Sequence, residues 1–202
     1  MTTFPVLGKA DLDEEQTKLW DELTLGPRSV LTGGPSKKRM PDLFNAWLQV
    51  PEFGKVMLRM ADVIRANDAL THRLRELVIL TTSMLLGTRV EFDFHVPQAR
   101  KNGLAEAVIE AIGRGEKPEF ADEVERVIYQ ANVELVRVGS LSDHTRESVV
   151  LAVGYRGLML LIALVGNYVI VGYTSNVAEV RVLDDFEADE QKLEYFYKGK
   201  AG

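Results

Sequence analysis

Cysteine is absent from this sequence of 202 residues, and histidine is scarce, with only His72, His95 and His144. A chain without thiols has no disulfides, no zinc–thiolate sites and no cysteine nucleophile. Three histidines also leave little with which to build a histidine metal site. We therefore expect a protein that depends on neither redox chemistry nor a metal, and that needs no cofactor.

Positive charge is also in short supply, since 24 Lys and Arg stand against 30 Asp and Glu, for a net charge of −6. Phosphate backbones are bound by broad basic faces, so we expect no nucleic-acid partner. The N-terminus has neither the positive start nor the apolar stretch of a signal peptide, which predicts a cytoplasmic protein. A hydrophobic share of 46% is ordinary for a globular chain.

Strand patterns are lacking too, because no segment alternates apolar and polar residues for long enough. We predict an all-α fold in a single domain over residues 1–202, in which residues 1–40 form one helix and an extended loop. Thr71 is a candidate N-cap, and Gly87 a candidate helix end. Further helices are predicted at 42–49, 52–66, 71–86, 88–103 with a bend or restart at Pro97, 104–112, 120–138, 145–165 and up to 178.

One segment is long and apolar enough to raise the question of a membrane span, since residues 157–178 contain no formal charge. Asn167, several glycines and the lack of a basic flank argue against spanning. A core helix buried on all sides has the same composition, so we expect no membrane partner. We predict that this helix breaks at Gly166–Tyr168.

Two carboxylates are candidates for chemistry with His95. Glu91 lies four residues before His95, so on a helix the two side chains share one face, and the carboxylate can orient the imidazole as a general acid. The alternative is a surface ion pair. Glu76 lies within an apolar helical stretch, where a buried carboxylate needs a partner, and a structural ion pair with Arg73 or Arg75 is the alternative to a role in the site.

Residues 41–180 carry an ordered set of motifs that resembles a known family. The core of the set is Leu74–Leu80, Gly87, Glu91, His95, Pro97, Ala99–Arg100 and Gly103–Leu104, with 41–48 and 51–53 before it and 142–143, Gly154 and 164–168 after it. It is similar to the carboxymuconolactone decarboxylase family, whose other main branch is the AhpD-type alkylhydroperoxidases. The resemblance implies an AhpD-like helical fold of about seven to nine helices that assembles as a homotrimer or homohexamer.

The peroxidase branch of that family uses a glutamate, a Cys-x-x-Cys pair and a histidine. In this sequence the glutamate matches Glu76 and the histidine matches His95, whereas the cysteine positions hold Thr88 and Glu91. Because the thiol relay cannot run without cysteine, the resemblance points to the cysteine-free, decarboxylase-like branch.

This branch implies a cofactor-independent lyase that acts on a small cyclic or unsaturated carboxylic acid, in keeping with aromatic compound degradation. We assign His95 as proton donor, Glu91 as its orienting partner and Glu76 as support or alternative acid. Candidate substrate-binding residues are Asn45, Arg75, Arg100 and Tyr168. Two alternatives stay open: an isomerase or carbon–carbon lyase of aromatic degradation or secondary metabolism, or a non-catalytic oligomeric binding protein.

Overall fold

A computed structural model describes residues 4–36 and 38–180, and this part of the chain is all-helical, as predicted. After a 3-10 turn at Lys9–Asp11 it forms nine helices. They are α1 (Glu14–Leu25), α2 (Ser29–Thr32), α3 (Asp42–Leu48), α4 (Pro51–Arg65), α5 (His72–Leu85), α6 (Arg89–Lys101), α7 (Glu106–Gly113), α8 (Glu123–Val138) and α9 (Asp143–Val177).

The described residues divide into two compact units. One unit is the described part of Met1–Ala66 and Thr174–Gly202, in which α1 packs against α2, α3 and α4. The other unit is Asn67–Tyr173, in which α5 contacts α6, α7 and α8. The prediction of a single domain over 1–202 extends past residue 180 and so in part lies outside the described residues.

Several helix ends follow the local chemistry of the sequence. The Thr71 side chain accepts a hydrogen bond from the backbone N–H of Leu74, which confirms it as the N-cap of α5. Gly87 follows α5 with a positive φ of 68°, the left-handed conformation that glycine adopts most readily. Helix α6 continues through Pro97 without a restart.

The predicted break in the last helix is at the wrong place. Residues 166–168 are helical, and the helix is interrupted instead at Gly154, where φ is 70° and ψ is 176°. Among the described residues this helix alone is long and apolar enough to cross a membrane, yet only 33% of its most apolar window is buried. Helix α9 therefore keeps an exposed apolar face within one chain.

Helix α8 is tied to α5 by polar contacts. The Asn132 amide donates to the Val78 carbonyl at 2.8 Å, and Thr82 donates to Asn132 Oδ1 at 3.0 Å. Arg73 bridges the start of α8, with Nε 2.9 Å from Glu125 and Nη2 2.7 Å from Asp122. Arg73 is therefore the partner of these two carboxylates, and the predicted ion pair between Arg73 and Glu76 is replaced by this bridge.

The first prediction concerns Gly54, where α4 packs closely against α1 and α3. A Cβ added at Gly54 would lie 2.6 Å from Leu19 Cδ2 and 3.3 Å from Trp47 Cβ, whereas one at Gly166 would meet nothing within 4 Å. Overpacking costs about 1–3 kcal/mol, and replacing a helical glycine by alanine gains about 1 kcal/mol. Gly54→Ala should therefore lower the free energy of unfolding in urea, and the control Gly166→Ala should raise it. A Gly54→Ala protein more stable than the parent would contradict this packing.

A second prediction concerns Glu125. Burial raises the pKa of this carboxyl, and Asp122 raises it further, while Arg73 lowers it. Since the folded protein holds this proton more tightly than the unfolded chain, the contribution of Glu125 to stability is largest below the unfolded pKa of about 4.3 and is lost as pH rises through the folded pKa.

Glu125→Gln should therefore gain stability relative to the parent between about pH 4 and pH 7, measured by urea unfolding at each pH. The exposed Glu119→Gln is the matched control and should show no such trend. If Glu125→Gln instead loses stability relative to the parent as pH rises, the ionised carboxylate is a net stabiliser through Arg73.

Candidate active site

The site is a buried chain of three polar side chains from three helices of the unit Asn67–Tyr173. His95 Nδ1 of α6 lies 2.9 Å from Glu76 Oε2 of α5, and His95 Nε2 lies 3.0 Å from the Tyr168 hydroxyl of α9. Glu76 is 5% exposed and His95 2%, whereas Tyr168 is half-buried. Both ring nitrogens of His95 are therefore held by groups from other helices.

Glu76 is buried because α5 is buried along most of its length, with every residue from Leu74 to Ser83 inaccessible to solvent. A carboxylate in such surroundings is stabilised by a hydrogen bond to its charged form. The Nδ1–H of His95 donates that bond, which leaves Nε2 to accept from the Tyr168 hydroxyl when the ring is neutral. When the ring is charged, Nε2–H donates to the hydroxyl oxygen instead.

The aromatic surroundings fix the orientation of the imidazole. The ring of Tyr168 meets that of His95 edge to face, with centroids 5.4 Å apart, and Phe94 contacts it from the neighbouring position at 5.3 Å. Such a packed arrangement holds the imidazole against rotation. The imidazole thus faces Glu76 with Nδ1 and Tyr168 with Nε2.

The structure gives His95 a carboxylate partner besides the predicted Glu91. The carboxylate at His95 Nδ1 comes from Glu76, 19 residues away on α5, and Glu91 is half-buried on the turn of α6 before His95. The orienting role of Glu91 stays a prediction, and Glu76 is a second candidate for that role.

Tyr168 is the candidate substrate-binding residue that the fold brings to His95. Asn45 belongs to the other unit, where its amide accepts from the Leu7 N–H at 3.0 Å and donates to the Pro5 carbonyl at 2.9 Å. Arg75 is buried and donates to the backbone carbonyls of Leu70 and Asn67, so it braces the segment before α5. The substrate-binding roles of Asn45 and Arg75 stay predictions, and the contacts seen here are with backbone groups.

Arg100 faces a different part of the surface. It pairs with Glu106 at 2.6 Å and lines a groove of about 480 Å³ between α6 and α7. Phe92, Val96 and Ile109 also line this groove, and its lining includes none of Glu76, His95 and Tyr168. The substrate-binding role of Arg100 stays a prediction, and the structure places this arginine at the groove and not at the Glu76–His95 pair.

Within residues 4–36 and 38–180 no group of three or more His, Cys, Asp and Glu side chains is arranged to hold a metal ion. One further polar atom stands out beside the site. Asn167 Oδ1 is buried and has no hydrogen-bond partner among the described residues.

Comparison with known proteins gives this geometry its context. Residues 51–121 match the model of the carboxymuconolactone decarboxylase family. A solved structure from Ralstonia eutropha JMP134, an alkylhydroperoxidase AhpD core described as an uncharacterized peroxidase-related protein, aligns with a TM-score of 0.68 and 15% identity over 98% of this chain and 96% of that one. The family model thus matches residues 51–121, and the chain has the fold of an AhpD core.

A second solved structure of this AhpD-like fold is a protein of unknown function from Agrobacterium tumefaciens, provisionally named an AhpD antioxidant defence protein. It aligns with a TM-score of 0.58 and 20% identity over 71% of this chain and 97% of that one. At such identities both alignments show the fold alone. No curated protein matches the sequence.

The positions that resemble the cysteine pair of the AhpD branch hold oxygen side chains here. Thr88 is buried, with its hydroxyl 3.5 Å from the Gly172 carbonyl, and Glu91 is half-buried. The histidine and glutamate positions of the resemblance are the two residues that form the buried pair. This chain thus has the Glu76–His95 pair and no thiol at the two other positions.

Proposed function

We propose that this chain is a cofactor-independent lyase that acts on a small cyclic or unsaturated carboxylic acid by general acid–base chemistry. The observation that carries the proposal is the 2.9 Å contact between the buried Glu76 and His95, in a chain with no cysteine. The match to the carboxymuconolactone decarboxylase family supports decarboxylation as the reaction class.

The proposed reaction needs what this pair supplies. Loss of CO2 from an acid whose α-carbon is conjugated to a carbonyl or lactone leaves its electron pair as an enolate, which must then receive a proton. A protonated His95 is the source of that proton, and the Glu76 carboxylate stabilises the imidazolium until the proton leaves. An isomerase that moves a proton between two carbons would use the same pair. For either reaction, we propose a cytoplasmic enzyme that acts in the degradation of aromatic compounds.

The decisive test is the replacement of His95. His95→Gln should lower kcat for CO2 release from 4-carboxymuconolactone by roughly 100-fold or more, the usual scale for the loss of a general acid or base. His144 is exposed, so the control His144→Gln should leave kcat unchanged. Circular dichroism and melting temperature must accompany the kinetics, because His95 is buried.

Two carboxylate variants separate the pair seen in the structure from the pair that spacing predicts. Glu76→Gln should lower kcat more than Glu91→Gln, since Glu76 is the carboxylate at Nδ1. A folded His95→Gln protein as active as the parent would overturn the proposal. If the parent binds unsaturated carboxylic acids in a calorimeter but turns none over, the chain is a binding protein on this fold.

We further propose that a second copy of this chain covers the exposed face of α9. Tyr155, Met159, Ile162 and Tyr173 recur at helical spacing and are 78%, 60%, 41% and 58% exposed. Aromatic and methionine side chains without charge are typical of the core of an oligomer interface. The opposite face packs in the fold through Leu161, Leu164 and Tyr168, so a membrane span is disfavoured.

Light scattering should therefore give a mass at least three times 22.6 kDa, as expected for a homotrimer or homohexamer. Met159→Lys should lower that mass by placing a charge in the interface, whereas the exposed control Glu119→Lys should not. A stable parent monomer at micromolar concentration would contradict this arrangement.

A further inference from the structure

His95 is poorly placed to meet a substrate directly. Its residue surface is 2% exposed, Nδ1 is held by Glu76, and Nε2 is covered by the Tyr168 hydroxyl at 3.0 Å. A substrate atom could reach Nε2 only after the tyrosine side chain moves away. Tyr168 as a residue is half-buried, so it is more exposed than His95.

The fold holds Tyr168 in this position by a close helix approach. One turn further along α9, Gly172 packs on the connection between α5 and α6, where an added Cβ would lie 2.9 Å from Leu86 Cδ1 and 3.0 Å from Thr88 Oγ1. The absence of a side chain at Gly172 lets α9 lie against this connection. Tyr168 is therefore set beside His95 by backbone packing as well as by its hydrogen bond.

We propose that the Tyr168 hydroxyl, rather than His95, is the group that passes the proton to and from the substrate. In this arrangement Tyr168 is the catalytic acid or base, while His95 holds the proton and Glu76 positions and stabilises the imidazolium. The assignment rests on the proposed acid–base function and adds the atom at which the substrate is met.

The relay needs no reactant other than the substrate and water. In the acid direction the carboxylate carbon–carbon bond breaks, CO2 leaves, and the enolate carbon takes the proton of the Tyr168 hydroxyl. The Nε2 proton of His95 moves at the same time to the tyrosine oxygen, which leaves a neutral ring that donates from Nδ1 to Glu76. Water then returns one proton to His95, the hydroxide that remains combines with the released CO2 as bicarbonate, and the site is ready for another turnover.

The relay makes Tyr168 unusually nucleophilic, and an aryl sulfonyl fluoride can measure this without a substrate. In molecules whose His95 ring is neutral, the phenol oxygen attacks sulfur, fluoride leaves, and the phenolic proton passes to Nε2. Tyr129 is the internal reference, since it is also half-buried but packs against Phe120, and burial raises the pKa of its phenol. Peptide mapping by mass spectrometry gives the rate at each tyrosine.

We expect Tyr168 to react roughly tenfold faster than Tyr129 or more, and His95→Gln to remove this preference while the rate at Tyr129 stays the same. Glu76→Gln should reduce the preference to an intermediate value. Equal rates at the two tyrosines of the folded parent, or a preference that survives in folded His95→Gln, would overturn the relay.

Tyr168→Phe provides the kinetic arm, because it keeps the ring and its packing and removes only the hydroxyl. With 4-carboxymuconolactone its kcat should fall roughly 100-fold with little change in KM, whereas a merely structural tyrosine would alter the melting temperature and leave kcat intact. Preferential labelling of Tyr168 in a parent that does not turn over the lactone would uphold the relay and reject the proposed substrate. A parent that turns over the lactone without preferential labelling of Tyr168 would reject the relay and uphold the proposed substrate.

Discussion

The carboxylate of Glu76 is the constraint on which the rest of the unit Asn67–Tyr173 depends. It lies in a helix whose residues from Leu74 to Ser83 are all buried, so the side chain cannot reach water along either face. A buried carboxylate without a partner is among the most destabilising features a core can contain. The 2.9 Å contact with His95 Nδ1 offsets that penalty. Because His95 belongs to α6 and Glu76 to α5, the same contact holds the two helices together.

The same constraint extends to α9. Once Nδ1 of His95 is committed to Glu76, Nε2 is a buried polar atom that needs its own partner, and the Tyr168 hydroxyl supplies it. The chain of contacts therefore links α5, α6 and α9, while Asn132 and Thr82 link α5 to α8 through a second buried network. The hydrogen bonds of the buried polar groups and the packing of the helices therefore favour the same arrangement of α5, α6, α8 and α9.

Local signals in the sequence were sufficient for the helices and for part of the site. Apolar periodicity, the Thr71 cap and the glycine at 87 act within a few residues, so they are readable without the fold. The partner of His95 was not readable in this way, because Glu76 lies 19 residues away and Tyr168 lies 73 residues away, and only packing brings them together. Gly154 and Gly166 look alike in an apolar run, yet only Gly154 has a left-handed φ, which depends on how the two parts of α9 pack.

The side chains at this site also distinguish between two chemistries, thiol peroxidase chemistry and decarboxylation. A thiol peroxidase needs a sulfur nucleophile as well as a base, and here the positions that resemble the two cysteines hold Thr88 and Glu91. Decarboxylation needs no nucleophile, since the electron pair comes from the breaking carbon–carbon bond and the protein has only to stabilise charge and deliver a proton. The chain of contacts from Glu76 through His95 to Tyr168 contains no sulfur nucleophile, and it fits the proton transfer that we propose.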